Sequence, residues 1–110
     1  MNYQGKRVAV TGENGFIGSA LIRALSRAGA EVIVFDGDIR DPMTFAGLDY
    51  SYSYLFHFAA PSSQTLFKRN ADYCIDSTIN GLINAAQACK QHGVRLIYPS
   101  TGLLSSGRYN

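Results

Sequence analysis

Three glycines spaced three residues apart, Gly12, Gly15 and Gly18, punctuate the stretch Thr11-Gly12-Glu13-Asn14-Gly15-Phe16-Ile17-Gly18. The chemistry open to such a turn is anion binding through the main chain. Glycine reaches positive φ without steric cost, and a residue lacking Cβ lets a ligand approach the backbone. Gly12 suits the tight turn, Gly15 the close approach of a diphosphate, and Gly18 the seating of a helix on a strand. Asn14, Phe16 and Ile17 share the turn. The bland reading is a tight strand-to-helix turn with no ligand. The spacing is not G-x-x-x-x-G-K-[ST], which disfavours a P-loop NTPase. Asp36, 18 positions after Gly18, is the second candidate. A carboxylate there accepts hydrogen bonds from ribose 2′- and 3′-hydroxyls and repels a 2′-phosphate, favouring NAD over NADP. Its alternative is an acidic turn residue beside Gly37. His57 lies inside an apolar run and reads as a core imidazole with a hydrogen-bond partner rather than as a base. Cys89 packs as a small hydrophobe, and no spacing of His, Cys and acids suggests a metal site.

These residues need elements to hold them. Arg7-Val8-Ala9-Val10-Thr11 is a short β-branched strand. A helical pattern follows, with Phe16, Ile17, Ala20, Leu21, Ala24, Leu25 and Ala28 on one face and Gly29 as the residue past its end. The first free amides of that helix, with its dipole, would face an anion. Glu31 to Phe35 is a second strand ending at Asp36. The unit Arg7–Asp36 takes 30 residues, as a right-handed crossover between parallel strands requires. Asp41 can cap a short helix with Pro42 first in it, running to about Gly47. Tyr54 to Ala60 is a continuous apolar strand, covered on both faces, that Pro61-Ser62-Ser63 breaks. A long helix begins near Asn70 or Asp72 and ends before Gly93, with Ile75, Ile79, Leu82, Ile83 and Ala86 as its core stripe. Lys90 and His92 sit in its last turn, where positive charge suits the dipole. Gly81 in its middle costs about 1 kcal/mol relative to Ala, which close packing of backbones would justify. Val94 to Tyr98 is a further buried strand, closed by Pro99 to Gly102. No structure is assigned to the small, polar tail from Leu103 to Asn110.

The chain has 110 residues and a net charge of +2, with both signs interspersed. That length bounds it to one domain over 1–110, without a separate substrate domain. No basic run points to nucleic acid, no apolar stretch approaches a membrane span, and no signal-peptide core is present. Cys74 and Cys89, without a C-x-x-C, suggest a reducing cytoplasm. The expected fold is α/β: a truncated, three-layer, Rossmann-like domain with a mostly parallel sheet of about four strands and helices on both faces.

Several stretches together resemble one family. They are T-G-E-N-G-F-I-G at Thr11–Gly18, Asp36, Asp38-Ile39-Arg40-Asp41, F-H-F-A-A at Phe56–Ala60, Asn80-Gly81 with Asn84, and Tyr98 to Thr101. This pattern is similar to the NAD-dependent epimerase/dehydratase family, extended short-chain dehydrogenases that act mostly on nucleotide sugars. The likeness runs from about residue 5 to 106. It implies NAD as cofactor, with Gly12, Gly15, Phe16 and Ile17 lining the pyrophosphate turn and Asp36 on the adenosine ribose. Asp38 and Ile39 would flank the adenine, and Phe58, Ala59 and Ala60 would lie along the cofactor beyond the diphosphate. Thr101 matches the Ser or Thr that hydrogen-bonds the substrate; its alternative is a strand-end hydroxyl bonding its own backbone. The family's strand count gives the order 2-1-4-5.

Three departures stand out. Only Gly37 separates Asp36 from Asp38, so the family's intervening helix and edge strand are deleted. Thr78 stands where the family shows Asn, and Leu82 where it shows Thr. The Tyr-x-x-x-Lys pair that serves as the family's base does not occur within these residues, Tyr109 being only eight beyond Thr101. The expectation is the NAD-binding part of a nucleotide-sugar epimerase or dehydratase, inactive as this chain alone. The alternatives are a stand-alone NAD(H) or nucleotide-binding module, and a chain that mainly dimerises through its long helix and open sheet edge.

Overall fold

Short runs of β-branched, aliphatic and aromatic residues produce a parallel sheet here. The computed structural model describes residues 2–59 and 68–99. Its elements are β1 (Arg7–Thr11), α1 (Phe16–Arg27), β2 (Glu31–Val34), a single 3-10 turn (Pro42–Phe45), β3 (Tyr54–His57), α2 (Ala71–His92) and β4 (Arg95–Ile97). The strand order is β2-β1-β3-β4, every pairing parallel. This is the expected order and fold class. Register places Val10 opposite Val34 on one side and Phe56 on the other, and Thr11 opposite His57. The carboxyl ends of β1 and β3 are therefore level, which decides where the site lies.

Period-two alternation splits the core into two layers. Val8, Val10 and Phe56 face α1 and meet Leu25, with Leu21 and Ile22 half-buried beside them. Ala9 and Leu55 face the other way, against Ala85 and Cys89 of α2 and Phe45 and Leu48 around the 3-10 turn. β1 is fully enclosed from Val8 to Thr11. Each such aliphatic side chain contributes about 1.5–3 kcal/mol by leaving water. Asp41 caps the 3-10 turn, accepting from the Met43 amide at 3.0 Å, with Pro42 following; the turn ends at Phe45 rather than Gly47. Gly29 follows α1 at φ 85°, and Gly93 closes α2 at φ 69°, both as read from sequence.

Two helix faces differ from the sequence reading. On α2 the buried positions are Cys74, Ser77, Gly81, Ala85 and Cys89. Of the expected stripe, Ile75, Ile79 and Ile83 are respectively 47%, 54% and 45% exposed, while Leu82 and Ala86 are half-buried. Two stripes share the helical period, and bulk favoured the wrong one. The small side chains win because they let α2 lie close on the sheet. Gly81 makes this concrete: a Cβ there would sit 2.5 Å from Ile39 Cδ1 and 2.8 Å from its Cγ1. The close packing is real, but the partner is a side chain and not another backbone. On α1 the inward face is Gly18, Leu21, Ile22 and Leu25, while Ala20, Ala24 and Ala28 are exposed. Phe16 and Ile17 are 91% and 60% exposed, standing at the head of the helix beside the glycine turn.

Candidate functional site

The site is built where β1 and β3 end together. Gly12 takes φ 86°, and a Cβ on it would lie 2.6–2.7 Å from the Phe58 carbonyl group and the Ala59 nitrogen. A Cβ on Gly18 would lie 1.9 Å from the Gly12 carbonyl oxygen. Neither position admits a side chain. Gly15 differs, since its nearest neighbour to a built Cβ is the same oxygen at 3.4 Å. Its open side is toward solvent, as a surface that a diphosphate approaches requires. Gly15 donates to the Gly12 carbonyl at 3.1 Å and Ser19 to the Gly15 carbonyl at 2.9 Å. The amides of Phe16, Ile17 and Gly18 between them have no backbone partner among the described residues. No side chain caps this end and no acid lies in its first turn. Three N–H groups without a partner among the described residues thus stand at the positive end of the helix dipole, an arrangement suited to an anion.

One buried cluster fixes that turn against β3. Thr11 and His57 are 0% and 1% exposed. Thr11 Oγ1 accepts from the Phe58 amide at 3.1 Å and from the Ala59 amide at 3.2 Å. Its single proton is left for His57 Nδ1, 2.8 Å away. His57 is thereby assigned the neutral tautomer with its proton on Nε2. Burial holds its pKa down to about 4, and the ring stacks on Tyr98 with Phe45 edge-on. The imidazole is the core group expected from its sequence setting, and it organises the site without being a base. The segment Phe58-Ala59, expected along the cofactor, is held directly against Gly12.

The adenosine side is less as expected. The Phe35 amide donates to the Val10 carbonyl at 2.9 Å, so Asp36 emerges beside the glycine turn. Asp36 is exposed, and no described residue pairs with its carboxylate. Gly37, at φ 124°, then turns the chain toward α2. Both Asp38 oxygens are taken by Arg40, whose Nε lies 3.0 Å from each and whose terminal nitrogen lies 2.5 Å from one. That guanidinium holds the carboxyl down to about 2. Ile39 is buried beneath Gly81, and its carbonyl accepts from Asn84 at 3.0 Å. The Asp38 carboxylate and Ile39 side chain are therefore already engaged within the fold. Ala60 and Thr101 lie outside the described residues. Asn14 is exposed at the tip of the turn.

Sequence reasoning named Arg40, Asn84 and Thr11 only as parts of the family pattern and assigned none of them a role. A threonine ending a strand carries no signal for the tertiary hydrogen bonds it makes. Among the described residues no group of three or more His, Cys, Asp and Glu side chains could hold a metal ion. No described helix is long and apolar enough to cross a membrane.

A parallel sheet, a glycine turn at the head of its first helix and a free carboxylate ending the second strand define a Rossmann-like dinucleotide-binding domain. The model of the NAD dependent epimerase/dehydratase family matches residues 8–106, and the chain belongs to that family. It is 29% identical over 112 residues to 2-alkyl-3-oxoalkanoate reductase of Stenotrophomonas maltophilia, covering 86% of this chain and 33% of the relative. It is 27% identical over 118 residues to UDP-glucuronic acid decarboxylase 1 of Arabidopsis thaliana, covering 86% and 26%. The chain thus spans a third or less of these curated relatives. Among solved structures it resembles the UDP-glucose 4-epimerase of Thermus thermophilus in complex with NAD, at 29% identity and a TM-score of 0.77, over 87% of this chain and 38% of that one. Epimerase Mth375 of Methanothermobacter thermautotrophicus gives 26% identity and a TM-score of 0.81, over 91% and 36%.

Proposed function

We propose that this chain is the NAD-binding part of an enzyme that oxidises a hydroxyl of a nucleotide sugar, in the manner of an epimerase or dehydratase. The observation that carries the reading is the trio of unpartnered amides at Phe16, Ile17 and Gly18, in a turn whose packing excludes side chains at Gly12 and Gly18. These residues fit the diphosphate of NAD, and Gly15 leaves the approach open. Asp36 would bind the adenosine ribose and disfavour a 2′-phosphate. Phe58, Ala59 and Ala60 would run along the cofactor beyond the phosphates, and Thr101 would hydrogen-bond the substrate hydroxyl or carbonyl.

Bound NAD supplies the hydride acceptor; the protein must position the sugar and take the hydroxyl proton. His57 does not serve as that base, because it is enclosed and its Nδ1 is occupied by Thr11. The Asp38 carboxylate is occupied by Arg40. Neither of these two groups is therefore placed to take the hydroxyl proton. That same observation favours a second reading of this chain taken alone, a module that holds NAD(H) without turning it over.

Calorimetric titration with NAD, NADP and ADP-ribose tests the proposal. The expected order is NAD and ADP-ribose well ahead of NADP. Removing the carboxylate in Asp36→Ala removes hydrogen bonds to a charged acceptor, worth about 1.5–3 kcal/mol, so NAD affinity should fall about 10- to 100-fold. Unchanged affinity would overturn the ribose assignment, and no binding of either adenosine ligand by the wild-type chain would overturn the proposal.

A further inference from the structure

The loop after β2 has an unusual problem of support. β2 is the edge of the sheet, and the chain turns directly from Asp36 through Gly37 toward the layer of α2. No neighbouring strand buttresses the loop among the described residues. It is fastened instead to α2 from three directions. Ile39 fills the notch that Gly81 leaves. Asn84 donates its amide to both the Ile39 and Arg40 carbonyls at 3.0 Å. Arg40 reaches back to Asp38, outward to Asp76 at 3.6 Å, and lies over the Tyr73 ring at 4.8 Å. Asp76 is held in turn by the Asn80 amide. Within the loop the Asp38 carbonyl accepts from Thr44 Oγ1 at 2.6 Å and from the Asp41 amide at 2.9 Å.

We infer that Arg40 is a positioning residue for the adenosine half of the dinucleotide: by tying Asp38 to Asp76 and Tyr73 of α2, it holds the Asp36–Ile39 backbone as the wall against which the nucleoside binds. This rests on the reading of the glycine turn as a dinucleotide site, and adds a residue that touches no ligand atom. The physical argument is preorganisation. A loop lacking a neighbouring strand otherwise loses conformational freedom each time a nucleoside binds, and that ordering is subtracted from the affinity. A guanidinium spanning two carboxylates and a ring restrains the loop beforehand, and only guanidinium presents the planar fork that Asp38 meets on both oxygens.

The test compares ligands that use different halves of the site. Wild type, Arg40→Gln, Arg40→Lys and Asn84→Ala are titrated with ADP-ribose by calorimetry. Inorganic pyrophosphate is followed through the Gly12–Gly18 amide signals by NMR, with thermal unfolding run alongside. Arg40→Gln should lose about tenfold in ADP-ribose affinity, with pyrophosphate shifts and unfolding temperature close to wild type. Asn84→Ala should show the same selective loss, and Arg40→Lys should recover only part of it. Equal ADP-ribose affinity in Arg40→Gln and wild type overturns the inference while leaving the dinucleotide site standing. A parallel loss of both ligands with lowered thermal stability overturns it too, by making Arg40 merely structural. A wild-type chain that binds neither ligand overturns both.

Discussion

Replacing Thr11 by valine isolates the cluster that joins the glycine turn to β3. Valine has nearly the shape of threonine, so no cavity opens and the hydroxyl alone is lost. Three hydrogen bonds go with it: those from the Phe58 and Ala59 amides, and the one to His57 Nδ1. The Phe58 amide keeps an alternative, because it also donates to the Thr11 carbonyl at 3.1 Å. Two groups are left without partners, the Ala59 amide and the enclosed imidazole nitrogen. An unsatisfied buried polar group costs about 1–3 kcal/mol, so with two of them Thr11→Val should destabilise the fold by about 2–6 kcal/mol. The control, Thr11→Ser, keeps the hydroxyl and removes one buried methyl, for about 1 kcal/mol. Urea unfolding at neutral pH measures both, and in thermal unfolding the valine variant should melt at least about 4–8 °C below the serine variant, from a gap of at least about 1 kcal/mol at roughly 4–8 °C per kcal/mol for a domain near this size. Nitrogen-15 shifts of His57 supply the second reading, expected to show a neutral ring protonated on Nε2 in wild type. If the valine and serine variants unfold together, the hydroxyl is not holding the turn and this account of the cluster is wrong.

Further predictions follow from the same contacts. His57 has its pKa lowered from 6.5 to about 4 by burial, so the unfolded chain binds more protons between those values. The stability contributed by the neutral ring is complete above pH 6.5 and is lost as pH falls toward 4. The total is at most about 3.5 kcal/mol at about 1.4 kcal/mol per unit. His57→Gln should abolish that limb of the stability curve, and a limb that persists unchanged would assign it elsewhere. Gly18→Ala gains up to about 1 kcal/mol of helix propensity, yet its Cβ meets the Gly12 carbonyl oxygen at 1.9 Å. Because backbone cannot swing aside, a net loss of at least about 1–3 kcal/mol is expected in chemical denaturation. Gly81→Ala collides only with Ile39, through Cδ1 at 2.5 Å and Cγ1 at 2.8 Å. Its cost should be smaller, and Ile39→Val, which deletes Cδ1, should be less harmful in the Gly81→Ala background than in wild type. A double-mutant cycle showing simple additivity would refute that contact.

Much of this protein was written locally. A strand running into glycines and then into a helix is a matter of φ preference and period, and Gly12, Gly18, Gly29 and Gly93 do what their sequence setting requires. The parallel pairing of β1 with β2 follows from the length and handedness of the crossover between them, whereas the order of the remaining strands was legible only through the family resemblance. His57 could be placed in the core from its apolar neighbours alone. What the sequence could not reveal depends on distances between elements far apart in the chain. The choice between two apolar stripes on α2 turned on how closely the helix lies on the sheet, a property of the whole layer, and the small residues Cys74, Ser77, Gly81 and Ala85 prevailed over Ile75, Ile79 and Ile83. The same close approach seats Ile39 under Gly81, and Arg40 is drawn to α2 beside it, so that Asp38 spends its carboxylate on a neighbour. Hydrogen bonds spanning 46 residues between Thr11 and His57, and 45 between Asn84 and Ile39, exist only after the layers have packed. Local preference set the turn and its free amides; tertiary packing decided which side chains remain available around them, because each polar group satisfied within the fold is one fewer left to meet a ligand.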